Sequence, residues 1–346
     1  LYCLRAAWSY LLLPSLYLFS DGGGIRGEWR ADDEDALPHM PAFFVDSGWA
    51  ALGCATTEQA LERFVAEVLN RVSWCEGSRV DELRATWKAI KSADRDERSF
   101  CIMAGRLGLD PYDRNEMTDA VARVIEQLDD ANDGLVTDLT SAATVEHLEE
   151  QWSWVQAVQS KYKVGAGPAI AKGPKESEYV SPAKYGYAVA QEFRKRTELP
   201  AGSPLGSIED FAKQILGAPL QRVDENHLVS REVQLVAGRD GSGAAVLVGP
   251  RNPIEENERF RSARGLFQVA VAGMNGPRLV TEAYTWNQRA SRAFAAELIA
   301  PQAGLKLRVG GWADRAMVRE LGKEFGASTI LIEKQLKNAQ VAVTDE

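Results

Sequence analysis

Histidine is scarce in this chain. Only three occur in 346 residues, His39, His147 and His227, and none lies near another in sequence. A histidine-rich metal centre is therefore not expected. Cysteine is also sparse: Cys3, Cys54, Cys75 and Cys101 lie far apart and form no C-x-x-C pair. Thiols so dispersed imply reduced, packed side chains and a cytoplasmic location. Positive charge is the minority sign, with 40 Lys and Arg against 49 Asp and Glu, a net charge of −9. No broad basic surface for nucleic acid follows from that balance. The longest apolar stretch, "LRAAWSYLLLPSLYLF", is broken by Pro14 and is followed by no A-x-A pattern. It is too short for a bilayer and reads as a buried strand entering a hairpin, with no membrane partner. Phosphate-binding loops are missing too. The glycines of "SDGGGIRG" fit neither a Walker loop nor a dinucleotide fingerprint, no G-x-S-x-G occurs, and no local signature supports a Cys/His nucleophile pair.

What is present is the composition of a globular protein, 45% hydrophobic and 26% charged, at a length that allows two or three cores. Residues 1–50 carry strand and turn signals, with "SLYLF" and "IRGEW" joined by "SDGGG" as a hairpin. Residues 51–164 read as a helical bundle. There "TTEQALERFVAEVLNRV" opens on a capping-box pattern, and Trp74, Trp87, Trp152 and Trp154 serve as packing anchors. Residues 165–182, rich in Gly, Pro, Lys and Ser, read as a linker.

The segment 183–305 is mixed. Two short amphipathic helices, "GYAVAQEFRKRTELP" and "SIEDFAKQILGA", precede a hairpin formed by "REVQLVA", the turn "GRDGSG" and "AAVLVG". A helix then starts with Asn252 as cap, Pro253 in its first turn and Glu255 three after the cap, placing Phe260, Ala263, Phe267 and Ala270 on one face. A second helix is announced by Thr285 and Gln288 at capping-box spacing; it carries Phe294 and Leu298 and stops before Pro301. Residues 306–346 close with "VRELGKEFGAS" and "TILIEKQLKN", a helix-turn-helix pattern.

This order of motifs resembles the ImmA/IrrE family of zinc metallopeptidases over roughly Ala183 to Asn338. The stretch "RFRSARGLFQ" matches the family's R-F-x-x-A-H-E-x-x-H helix at Arg259, Phe260 and Ala263. The stretch "QRASRAFAAELIAP" matches its second helix at Phe294, Ala295, Ala296, Glu297, Leu298 and Pro301. The resemblance implies an α+β chain: a helical N-terminal block, a zincin-like peptidase fold and a C-terminal helix-turn-helix-like segment. It also implies where zinc chemistry would sit. The two histidine positions fall at Arg264 and Gln268, the general-base glutamate at Gly265, and the third ligand at Gln288, or at Arg289 or Ala290 if the register slips. Arginine offers no lone pair, glycine no proton acceptor, and glutamine is a poor zinc ligand. Zinc is thus expected to be absent, and a catalytic residue is not assigned.

For the four vestigial positions, simpler roles stand beside the functional ones. Gln288 is explained by capping alone, Gln268 by an interior hydrogen bond, and Gly265 by close packing. Arg264 is either an ordinary surface arginine or a cation standing where zinc would, paired with Glu297. The resemblance points to a non-catalytic protein that binds a protein partner, such as a repressor, in bacterial or phage gene control on a mobile element. Two alternatives are a metallo-endopeptidase with an unrecognised site and a DNA-binding regulator. From Trp312 onward Arg and Lys number five against six Asp and Glu. A DNA reader would show a basic face, so this segment reads first as a unit packed on the core.

Overall fold

The computed structural model describes residues 2–3, 15–20, 25–31, 46–72, 78–167, 174–176, 179, 181–225, 232–272 and 276–344. The chain is mixed α and β and divides into two compact units, Leu1–Arg98 and Ser99–Glu346. In the first unit, β1 (Tyr2–Cys3), β2 (Leu16–Ser20), β3 (Ile25–Trp29) and β4 (Gly48–Leu52) form an antiparallel sheet in sequence order. The expected pairing of "SLYLF" with "IRGEW" is there, with Leu18 opposite Gly27; the turn residues 21–24 lie outside the described residues. Two helices follow, α1 (Cys54–Arg71) and α2 (Ser78–Ser92). Helix α1 starts after Gly53, ahead of the expected capping box. The Thr57 hydroxyl instead donates to the Gly53 carbonyl at 2.9 Å.

The second unit begins inside α3 (Arg95–Arg106) and continues with α4 (Asp119–Asp129), α5 (Asp133–Thr140) and α6 (Leu148–Tyr162). Thr118 caps α4 and Asn132 caps α5, each accepting from backbone N–H groups of the first turn. Then come α7 (Pro182–Arg196), α8 (Ile208–Leu216) and the strands β5 (Leu220–Asp224), β6 (Val233–Arg239) and β7 (Ala245–Gly249). Helix α9 (Glu255–Phe267) runs into a π-helical turn at Gln268–Ala272. After it lie β8 (Arg278–Thr281), α10 (Trp286–Ile299) and α11 (Gln302–Val309). The strand β9 (Trp312–Ala313), the helices α12 (Arg315–Phe325) and α13 (Thr329–Asn338), and β10 (Ala342–Val343) close the unit.

The sheet of this unit has the order β5-β7-β6-β8, with β5 parallel to β7 and the other neighbours antiparallel. Both of its faces are covered, which is why "AAVLVG" reads as a continuous apolar run instead of an alternating one. Val246, Val248 and Leu279 face the core made with α3–α6, whereas Ala245, Leu247 and Val280 face the core made with α7–α13. A register irregularity between Val233 and Leu235 lets Val233 and Val236 share the first face while Leu235 and Ala237 take the second. Helices α7 and α10 approach closely because Gly186 has no side chain: a Cβ there would lie 2.3 Å from the Ala290 carbonyl oxygen.

Several expectations change on this framework. The boundary placed at residue 164 falls inside the second unit, and the expected helical bundle is shared between the two units. Trp152 and Trp154 are buried in the α3–α6 core, Trp87 is only half-buried, and Trp74 lies outside the described residues. At the start of the expected linker, Gly165 exchanges backbone hydrogen bonds with Arg239 at 2.8 and 3.1 Å. Residues 168–173, 177–178 and 180 of that segment lie outside the described residues. The helix expected from Asn252 begins at Glu255. Asn252 organises the preceding turn, accepting from the Ile254 N–H at 3.0 Å and donating its own N–H to Glu258 at 2.8 Å. The closing helices α12 and α13 bury Val318, Leu321, Phe325, Ile332 and Leu336 in the core with α10. No helix among the described residues is long and apolar enough to cross a membrane.

Candidate functional site

The two motif helices pack through the residues their periodicity singled out. Ala263, Phe267, Phe294 and Leu298 are buried and Phe260 is partly buried against them. The rings of Phe267 and Phe294 lie 5.4 Å apart. This contact fixes α9 against α10 and brings the positions of Arg264, Gln268 and Gln288 to one place beside β8. The cap at Thr285 holds α10 in register, its hydroxyl accepting from the Gln288 N–H at 3.3 Å.

Arg264 is buried, at 3% exposure, and does not face solvent. Its Nη2 donates to the Gln288 side-chain oxygen at 2.7 Å and to the Thr281 carbonyl at 2.6 Å. Nη1 reaches the Gln234 side chain at 3.2 Å, and Nε reaches the Ser291 hydroxyl at 3.2 Å. Burial pushes this guanidinium's pKa down to about 9; Arg292 and Arg261 add repulsion, while Asp138 and Glu282 oppose it. That remains well above neutral, so the charge is retained.

The counter-charge in this network is Asp138, which is fully buried and comes from α5. It accepts from Arg278 Nε at 2.7 Å and Nη2 at 3.0 Å, from the Leu279 N–H at 3.0 Å, and from the Gln288 amide at 2.9 Å. Gln288 completes the pattern: its amide donates to the Leu279 carbonyl at 2.7 Å and its oxygen accepts from the Thr281 N–H at 3.1 Å. One side-chain amide thus bonds both a carbonyl and an N–H on the outer edge of β8, as a neighbouring strand would. Gln288 is therefore more than a capping residue. Gln268 is fully buried and meets Asn287 at 3.0 Å; with its amide oxygen turned toward Arg278, Asn287 accepts from that guanidinium.

Sequence reasoning did not find Asp138. Its signal was a carboxylate on the apolar face of a short helix, between Leu135, Val136 and Leu139. Nothing local says which cation it meets, because Arg278 lies 140 positions away. Gly265 does serve close packing, since a Cβ there would sit 2.6 Å from the Leu247 side chain.

Arg264 and Glu297, expected as a possible pair, have separate partners. Glu297 accepts from Gln191 at 3.0 Å, from Gln335 at 3.2 Å and from the Gln302 N–H at 3.3 Å. It is 2% exposed, and desolvation raises its pKa. The folded state therefore holds this proton more tightly than the unfolded chain, and the cost of the buried charge is relieved as pH falls. Relative to a Glu297→Gln variant, the unmodified protein should gain stability as pH falls toward the ordinary glutamate value of about 4.3. Parallel thermal midpoints of the two proteins over that range would argue against this account.

The arrangement supplies hydrogen-bonding capacity but little that reacts. No proton acceptor stands at position 265, and the lone carboxylate of the cluster is already bonded to four donors. The residues here do not fit a zinc ion: a guanidinium occupies the centre of the site, and the amides beside it are weak donors to metals. Among the described residues, no three His, Cys, Asp or Glu side chains group closely enough to hold a metal. The sequence matches no protein-family model and no curated protein.

Proposed function

We propose that this chain is a non-catalytic ImmA/IrrE-like protein, a zincin-like scaffold that binds a partner protein such as a repressor in bacterial or phage gene regulation. The observation that supports this reading is the Arg264 network. The positions that the resemblance assigns to zinc ligands lie together beside β8, yet Arg264 is bonded to Gln288, Gln288 to Asp138 and Gln268 to Asn287. A guanidinium held by four acceptors replaces the metal's charge without its Lewis acidity or an activated water. The motif helices are thereby kept as a rigid support for recognition. The C-terminal helices, which bury their apolar faces against this support, favour a structural role over a separate DNA-reading one.

Metal analysis after dialysis against dilute zinc tests the reading. The unmodified protein should retain no stoichiometric zinc, and its partner binding should be indifferent to a chelator. The variant Arg264→His/Gln268→His/Gln288→Glu restores three donors and should bind the metal. Adding Gly265→Glu should require Leu247→Ala as well, because the Leu247 side chain fills the space a Cβ would take. Stoichiometric zinc in the unmodified protein would overturn the non-catalytic reading. A restored variant that folds but takes up no zinc would count against the family resemblance.

A further inference from the structure

A second polar site lies away from this network, where α7, the end of α10 and the start of α11 meet. A cavity of about 330 Å³ opens there, lined by Gln191, Arg194, Lys195, Leu199, Glu297 and Pro301 among others. The volume lies at the small end of the range for small-molecule sites. Its chemistry is unusual for a gap between helices. Glu297 is a buried carboxylate held by neutral donors only, with no ion pair of its own among the described residues. Its Oε1 accepts a single bond, from Gln191, which leaves a lone pair unused.

Arg194 is equally buried, and its charge is turned inward. It donates to the backbone carbonyls of Leu298 at 2.7 Å and Pro200 at 2.8 Å, and also to that of Ser203, while its Nε–H has no partner. Lys195, by contrast, is exposed at the rim. Leu199 and Pro301 add apolar lining.

We infer that this cavity binds a small zwitterion, an α-amino acid with an aliphatic side chain. The ammonium group meets Glu297, the carboxylate meets Lys195, and the side chain lies against Leu199 and Pro301. An ammonium ligand alone would leave Lys195 repelling it, and a carboxylate alone would face Glu297. A molecule carrying both charges answers both. The buried carboxylate, which feels the Arg194 guanidinium only at longer range, then gains a directly bonded cation. The inference is independent of the proposed function, since the cavity shares no residue with the Arg264 network.

Isothermal titration calorimetry of the full chain tests it, with L-leucine as probe and isopentylamine and isocaproate as its two half-ligands. Leucine should bind, and each half-ligand should bind about tenfold more weakly or worse, the loss expected for one charge-assisted contact. Lys195→Met, a change at an exposed residue that leaves the core untouched, should weaken leucine by a similar factor, while isopentylamine, freed of that repulsion, should bind no more weakly than before. Glu297→Gln should weaken both. No heat from leucine would overturn the proposal. So would isopentylamine binding as tightly as leucine, or Lys195→Met leaving leucine affinity unchanged.

Discussion

Asp138→Ala should lower the unfolding free energy by about 3–5 kcal/mol, as expected when one partner of a buried ion pair is removed. The carboxylate accepts four hydrogen bonds and is fully buried. Its removal leaves Arg278 without an anion and Arg264 with less opposing charge, and it strips the Leu279 N–H of its acceptor. The Leu279 N–H and Arg264 are buried and cannot turn to water, whereas Arg278 keeps 13% of its side chain exposed. The cost is therefore desolvation left uncompensated, more than the loss of attraction. Pairing Asp138→Leu with Arg278→Met should recover much of it, since neither charge is then stranded. Urea unfolding of the single and double variants gives both quantities. A single-variant loss below about 1 kcal/mol would mean that water reaches the network.

Phe294→Ala should be comparably severe, about 3–5 kcal/mol, for a different reason. The ring is fully buried and lies edge-on to Phe193 at 5.7 Å and tilted to Phe267 at 5.4 Å. It is the point where α7, α9 and α10 meet, and the close approach of α7 to α10 at Gly186 leaves little room for collapse into the void. A cavity term should thus add to the transfer term. An unchanged midpoint in thermal unfolding would show that the ring does not anchor these helices. The two substitutions act differently, one on polar matching and one on volume.

Much of the second unit was legible because its signals are local. The hairpin of β6 and β7, the cap at Thr285 and the aliphatic and aromatic faces of α9 and α10 each depend on residues within a few positions of one another. The start of α9 was not, because Asn252 bonds the Ile254 N–H in a turn that competes with capping the helix. The candidate site was legible by position only. Arg264, Gln268 and Gln288 were found as places, but their meaning depends on Asp138, whose contribution comes through a tertiary contact. The two compact units meet at Arg98, whereas composition alone put boundaries at residues 50 and 164. A Gly- and Pro-rich stretch says how little a segment can bury, not whether its ends pair with a sheet, as Gly165 does with Arg239. The Arg264–Glu297 pair rested on a cation standing where zinc would and a carboxylate nearby, but each residue has neutral partners of its own.

The outer edge of β8 is closed by side chains drawn from α5, α9 and α10: Asp138, Arg264 and Gln288. A peptide strand cannot add there, since every backbone group it would meet at Leu279 and Thr281 already has a partner. Recognition by strand addition, the most sequence-tolerant way for a sheet to take hold of an extended chain, is thus denied to this edge. The same closure makes β8 dependent on a helix that enters the chain 140 residues earlier. Separated from residues 99–164, β8 would keep its bonds to Arg264 and Gln288 but lose the acceptor of its Leu279 N–H and the cover of α5, a step toward the exposed edge that leads to aggregation. The α3–α6 layer is, in that sense, a built-in chaperone for the strand beside which it folds.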